Sequence, residues 1–325
     1  MKQLATTLLL LVFMSTVHAQ NEDFKTVINK NGPKLGYSPA SGIKLLTIAG
    51  KKFKDLNKNG TLDPYEDWRN SVDERAKDLA SGMSVEQIAG LMLYSDHQSI
   101  PARPYGFGAG TYNGKPISES GMKASDISDQ QLKFLKEDNL RHILITSVQS
   151  PEVSAKWNNN VQALVEGIGF GIPVNNSSDP RNTANVTSEF NAGAGGQISL
   201  WPDGLAMGAT FDPDIVKQFG NIASQEYRAL GITTALSPQV DLGTEPRWYR
   251  TTYVFSESPE LVKDMGKAYI EGFQTSSEAS VISNGWGFES VNAMVKHWPG
   301  GGPEEGGRDG HWANGKFAVY PGNNI

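Results

Sequence analysis

The chain has 325 residues, 29 basic against 35 acidic side chains, a formal net charge of −6 and no cysteine. Lacking a basic block, it carries no electrostatic footprint for nucleic acid, and lacking cysteine it must be held by its core rather than by disulfides. Its five histidines (His18, His97, His142, His297 and His311) are scattered rather than set at zinc-ligand spacing, which argues against a transition-metal enzyme.

Residues 1–20, MKQLATTLLLLVFMSTVHAQ, run from an early lysine through an apolar stretch to Val17-His18-Ala19. That order is the one of a secretory signal peptide, with cleavage expected after Ala19. A spanning helix needs about 20 apolar residues, and this run is shorter. No later stretch is long and apolar enough to span, so the mature protein is expected to be exported, periplasmic or extracellular, and free of the membrane. Residues 20–54 are polar and turn-rich, with Asn31-Gly32-Pro33 and Ser38-Pro39 breaking any periodicity, and read as an extended leader.

Residues 55–66, DLNKNGTLDPYE, match the calcium loop D-x-[DN]-x-[DN]-G-x5-E at each specified place. Asp55, Asn57 and Asn59 would supply side-chain oxygens, Gly60 the sharp turn, Thr61 its carbonyl, Asp63 a water-mediated contact and Glu66 a bidentate carboxylate. The preceding Lys51-Lys52-Phe53-Lys54 is too short for the helix that normally leads into such a loop, so the reading is a structural calcium outside a full EF-hand. A polar turn that merely matches the pattern is the bland alternative. Ser71 with Glu74 then forms a capping box opening a helix that Gly82 is placed to stop, and Ser84 with Gln87 opens another.

From about residue 88, short apolar runs alternate with amphipathic segments. Strands are expected over 142–148, 172–175, 206–210, 232–238 and 291–295, with helices over 151–167, 212–230 and 259–273; Ile215, Phe219 and Ile222 fall on one face of the middle helix. Strands alternating with helices argue for βα units and a parallel sheet. No G-x-G-x-x-G follows a strand, which disfavours dinucleotide binding. About five or six units fit the chain, where a closed barrel needs eight.

Ligand groups in such folds sit at the carboxyl ends of strands. Asp179 and Arg181, Arg247, Trp248 and Arg250, and Lys296 with His297 all follow apolar runs, and Asp309 and His311 lie further along the last loop. A carboxylate, several cations and a tryptophan suit a polyhydroxylated ligand, through bidentate hydrogen bonds and ring stacking. Each charge taken singly could equally be a structural ion pair. The Gly300-Gly301-Gly302 run after Lys296-His297 would let backbone approach a ligand closely.

Taken in order, DLNKNGTLDPYEDW, ERAKDLASGMSVEQIAGLM, GIPVNNSSDPRN, LWPDGLAMGATFDP, EYRALGITTALSPQVDL, EPRWYR and MVKHWPGGG resemble the amino-terminal domain of glycoside hydrolase family 3, bacterial β-glucosidase-like, over 55–325. The resemblance implies a TIM-type (β/α)8-like barrel, here incomplete at the C-terminus. It implies that Asp179, Arg250, Lys296 and His297 bind substrate and that an oligosaccharide or β-glucoside is the partner. No cofactor is implied for catalysis, and Asp179, which alone might pass for a nucleophile, becomes a positioning group. Two departures stand out: the family's W-G-R is Trp248-Tyr249-Arg250, and a glutamate common three residues later is Tyr253. The family's nucleophile, an aspartate in an S-D-W-like motif, is expected beyond Ile325, so the chain by itself is expected to be inactive. Two alternatives remain open: a β-N-acetylhexosaminidase using Asp309-Gly310-His311 as its acid/base pair, and a non-catalytic, calcium-stabilised glycan-binding module.

Overall fold

The computed structural model describes residues 24–179, 182, 197–275, 285–297 and 301–319; the expected signal peptide, Arg181 and residues 298–300 lie outside them. The segment read as an extended leader folds instead into two antiparallel hairpins. The first pairs β1 (Lys25–Ile28) with β2 (Lys34–Tyr37), and the second pairs β3 (Lys44–Ile48) with β4 (Lys51–Asp55). The second turn has only Ala49 and Gly50 between its strands, at φ of 50° and 74°. Positive φ at both central residues is what lets a two-residue turn follow the strand twist. The expected boundary at 54/55 therefore falls inside β4.

Two short helices follow, α1 (Val72–Gly82) and α2 (Val85–Leu91), both closed at their N-termini by the capping boxes read from the sequence, Ser71 with Glu74 and Ser84 with Gln87. Then come β5 (Tyr94–Ile100), α3 (Ile117–Ser120), α4 (Asp129–Lys136), β6 (His142–Val148), α5 (Pro151–Glu166) and β7 (Asn175–Ser178). The remaining elements are α6 (Gly204–Gly208), α7 (Pro213–Leu230), β8 (Thr234–Ala235), α8 (Pro259–Gln274), β9 (Asn292–Ala293) and α9 (Gly310–Ala313).

Strands β5 to β9 form one parallel sheet in chain order. Each step therefore moves one strand sideways in the same direction, the winding of a barrel rather than of a doubly wound sheet. The described residues make an open arc of that barrel.

Two expected strands are displaced or absent, and one observed strand, β5, was not expected. Residues 206–208 belong to helix α6 and residues 209–210 to the turn after it; Gly208 lies against the backbone of Phe255 so closely that an added Cβ would be 1.9 Å from its carbonyl oxygen. Strand β7 starts at Asn175, where the apolar run 172–175 ends, and is wholly polar. Its side chains are paid back by buried hydrogen bonds: Ser177 Oγ and Ser178 Oγ donate to the carbonyls of Ile143 and Ile145, and Asn176 Nδ2 to Asn158 Oδ1. Strand β5, Tyr-Ser-Asp-His-Gln-Ser-Ile, has no apolar alternation for the sequence to show.

The core lies between the sheet and helices α5, α7 and α8. The buried stripe of α7 is Val216, Phe219, Ala223, Tyr227 and Leu230, whereas Ile215 faces outward, so the apolar face is rotated from the one inferred. Tyr269 and Phe273 of α8 stack at 4.7 Å, and Phe219 packs on Tyr269 at 5.4 Å. Gly220 and Gly272 let the two helices touch: a Cβ at Gly220 would lie 2.8 Å from the Gly272 Cα.

The hairpins dock on the C-terminal end of α5. Glu166 Oε2 accepts from Ser38 N at 2.9 Å and Glu166 Oε1 pairs with Lys54 Nζ at 2.6 Å. Helix α5 runs back from the carboxyl end of β6 to the amino end of β7, so the hairpins cover the face opposite the strands' carboxyl ends.

Candidate functional site

At the carboxyl ends of β7, β8 and β9 the chain gathers the charges that the sequence placed there. The sheet pairing extends past β8 and β9 through a parallel bridge between Gln239 and Lys296, with Lys296 N donating to Pro238 O and Val240 N to Lys296 O. This fixes Lys296 and His297 beside Asp241. Asp179, the first residue after β7, receives Lys296 Nζ on Oδ1 at 2.5 Å, and its own carbonyl accepts from the Tyr227 hydroxyl at 2.8 Å. Both members of the ion pair remain partly exposed at the rim, 18% for Lys296 and 17% for Asp179.

His297 is held at both ring nitrogens. Nδ1 lies 2.9 Å from Asp241 Oδ2, and Nε2 lies 2.9 Å from Arg250 Nη1. A guanidinium can only donate. Nε2 must therefore accept, and Nδ1 carries the proton donated to Asp241. Arg250 reaches the ring from the residue preceding the 3-10 turn Thr251–Tyr253. All four residues implied as substrate-binding, Asp179, Arg250, Lys296 and His297, are thus joined in one network. Asp241, which the sequence reading passed over, anchors it; a carboxylate closing the Val240 run was the signal available.

The last loop extends this network. The rings of His297 and His311 meet edge to face at 5.1 Å. Asp309 caps α9, taking His311 N at 2.9 Å and His311 Nδ1 at 2.7 Å on Oδ1, while Trp248 Nε1 donates to Oδ2 at 2.7 Å. Burial pushes the Asp309 carboxyl upward, but the bonds from the His311 amide, the Trp248 indole and the His311 ring together hold it below the usual carboxylate range.

Several rim residues have other duties than those expected. Trp248 is buried, with 1% of its surface exposed, so it supports Asp309 and offers no stacking face. Arg247 is a surface partner of Glu245 at 2.7 Å, the bland reading. Tyr249 points outward and is exposed. Gly301 folds back on His297, where a Cβ would be 2.1 Å from the His297 Cβ, so this glycine serves the loop's contact with the histidine itself.

A family model described as the glycosyl hydrolase family 3 N terminal domain matches residues 115–317, which contain every residue of this network. The chain belongs to glycosyl hydrolase family 3. Over 284 residues, 87% of the chain, it is 39% identical to a periplasmic beta-glucosidase/beta-xylosidase of Dickeya chrysanthemi, of which it covers 40%. A probable beta-glucosidase C of Aspergillus oryzae is 35% identical over 88% of the chain and 42% of that relative. The chain thus spans about two fifths of the length of these relatives. Among solved structures, a family 3 beta-N-acetylglucosaminidase from Paenibacillus shares the fold, with a TM-score of 0.51 and 22% identity over 71% of this chain and 35% of that one. The barrel-type winding of the sheet is therefore that of the family.

Proposed function

We propose that this domain holds the sugar on the non-reducing side of the bond cleaved by an exported, retaining exo-acting β-glycosidase, with β-glucosides as leading substrates. The observation that carries this reading is the joined pair of Asp179–Lys296 and Arg250–His297 at the carboxyl ends of adjacent parallel strands. A carboxylate beside an ammonium offers acceptor and donor to vicinal hydroxyls, and the Arg250 guanidinium supplies a planar second set of donors. The relatives named for glucosidase and xylosidase activity support the substrate class, and the periplasmic one, together with the signal-like start, supports export. Among the described residues no helix is long and apolar enough to cross a membrane.

Retaining hydrolysis requires a nucleophile and an acid/base, two carboxyl groups about 5 to 5.5 Å apart. Each rim carboxylate is already committed: Asp179 to Lys296, Asp241 to His297, and Asp309 to Trp248 and His311. None is free to attack, and the residues of this network act by positioning.

A second reading has its own observation. His311 is half exposed, hydrogen-bonded to a buried aspartate and edge-on to His297. That is the arrangement a histidine–aspartate acid/base pair requires, and it favours a β-N-acetylhexosaminidase. Assay of the 325-residue chain on aryl β-glucoside and aryl β-N-acetylglucosaminide separates the two. No turnover of either is the expected result. Turnover of the glucosaminide that is abolished in His311→Ala would establish the second reading, and turnover of the glucoside would overturn the positioning role of these aspartates.

A further inference from the structure

We propose that the loop from Asp55 to Glu66 binds a calcium ion that fastens the two N-terminal hairpins to the barrel. The proposal is independent of the sugar chemistry, because this loop lies on the opposite face of the sheet from the rim.

The loop is already drawn into a ring. Glu66 reaches back across it, Oε1 accepting from Leu56 N at 2.6 Å and Asn57 N at 3.3 Å, and Oε2 from Asp63 N at 3.2 Å. Asp55 turns inward from the end of β4, with Oδ2 accepting from Gly60 N at 3.1 Å, and Gly60 takes the φ of +81° that the sharp turn requires. Asn57 Nδ2 and Asn59 Nδ2 both converge on Asp63 Oδ2 at 2.7 Å. Two amide donors thus occupy the carboxylate as a cation would, while Asn57 Oδ1 accepts from Asn59 N and Asn59 Oδ1 from Thr61 N within the loop.

What marks the ring as a site rather than a polar turn is Asp55 Oδ1. Asp55 is 1% exposed, and this oxygen, buried on a side chain that already faces Gly60 within the ring, has no hydrogen-bond partner. A buried carboxylate oxygen without a donor is costly, and a cation is the partner such an atom lacks. No three histidine or carboxylate side chains among the described residues gather closely enough to hold a metal by themselves. Calcium loops do not require that, since they draw on amide oxygens, a main-chain carbonyl and water as well. Oxygen-only donors of irregular geometry suit calcium over magnesium, and three carboxylates set a Kd on the order of 10⁻⁴ to 10⁻³ M.

The ion's place in the fold gives it its purpose. Leu56, in the loop, packs under Gly171, where a Cβ would be 2.8 Å from Leu56 Cδ2, and Lys58 Nζ donates to the carbonyl of Gly167 at 2.9 Å. Ordering the loop therefore orders the hairpins' seat on α5.

The test is calorimetric titration of the chelator-treated chain with CaCl2, alongside melting with CaCl2 and with MgCl2. Saturable heat with a Kd in the stated range and a rise in Tm specific to calcium are expected. Glu66→Gln should weaken binding at least tenfold. Because Glu66 also ties the loop backbone, Asp63→Asn, which leaves the Glu66 bonds in place, serves as the second variant and should weaken binding at least threefold. No heat and no Tm rise at about 10 mM CaCl2, tenfold above the upper end of the range, would overturn the proposal. Parent-like affinity in both variants, or an equal response to magnesium, would overturn it too.

Discussion

His297 shows how the network specifies single atoms. Asp241 and Arg250 grip opposite nitrogens of one ring, so its tautomer and orientation are set before any ligand arrives. Asp309 does the same for His311 while anchoring the Trp248 indole. Its carboxyl is held below its ordinary value of 3.8 in the folded chain. A depressed carboxylate contributes stability that is fully present above the unfolded pKa and is lost as pH falls through the folded one. The stability difference between the parent and Asp309→Asn should therefore shrink as pH falls below about 3.8. Denaturant titration across that range measures it, and a pH-independent difference would show that Asp309 is not stabilised as an anion. Residues at this scale were legible where a chemical type met a distinctive context, as with Lys296 and His297 before the glycines. Trp248 was misread because nothing in Trp-Tyr-Arg tells which aromatic is buried; only the Asp309 acceptor, sixty-one residues later, decides that Trp248 turns inward.

Among the elements, the long helices and the apolar strand β6, found over the expected 142–148, announced themselves, and the polar strands did not. The capping boxes of α1 and α2 and the proline starts of α5, α7 and α8 are local signals, readable within a few residues. Strands β5 and β7 are polar because their side chains bond to neighbouring strands, and that pairing is invisible until the sheet is assembled. The outward position of Ile215 has a similar cause: Gly220 and Gly272 fix the line along which α7 meets α8, and the rotation of α7 follows from it. Gly220→Ala would gain about 1 kcal/mol of helix propensity. The added Cβ, 2.8 Å from backbone with no flexible side chain to yield, forces the helices apart at a cost of about 1–3 kcal/mol. A net loss of about 1 kcal/mol in urea unfolding is expected, and a stabilised variant would contradict the contact.

For the molecule as a whole, the sheet separates two tasks. The carboxyl ends of the strands carry the charged network, and the amino ends seat the hairpins and the calcium-loop sequence. The family and the parallel winding were legible because motifs recur in a fixed order along the chain. The hairpins were not, since polar residues broken by turns read alike whether they pair or lie extended. The central claim is that Asp179, Lys296, Arg250 and His297 form a sugar-binding rim. It is tested most directly by calorimetric titration of the chain with glucose, beside Lys296→Met and Asp179→Asn variants shown by circular dichroism to stay folded. Saturable binding by the parent, weakened at least tenfold in each variant, or about 1.4 kcal/mol, is the expected result. Absence of binding in the parent, or equal affinity in all three proteins, would contradict it.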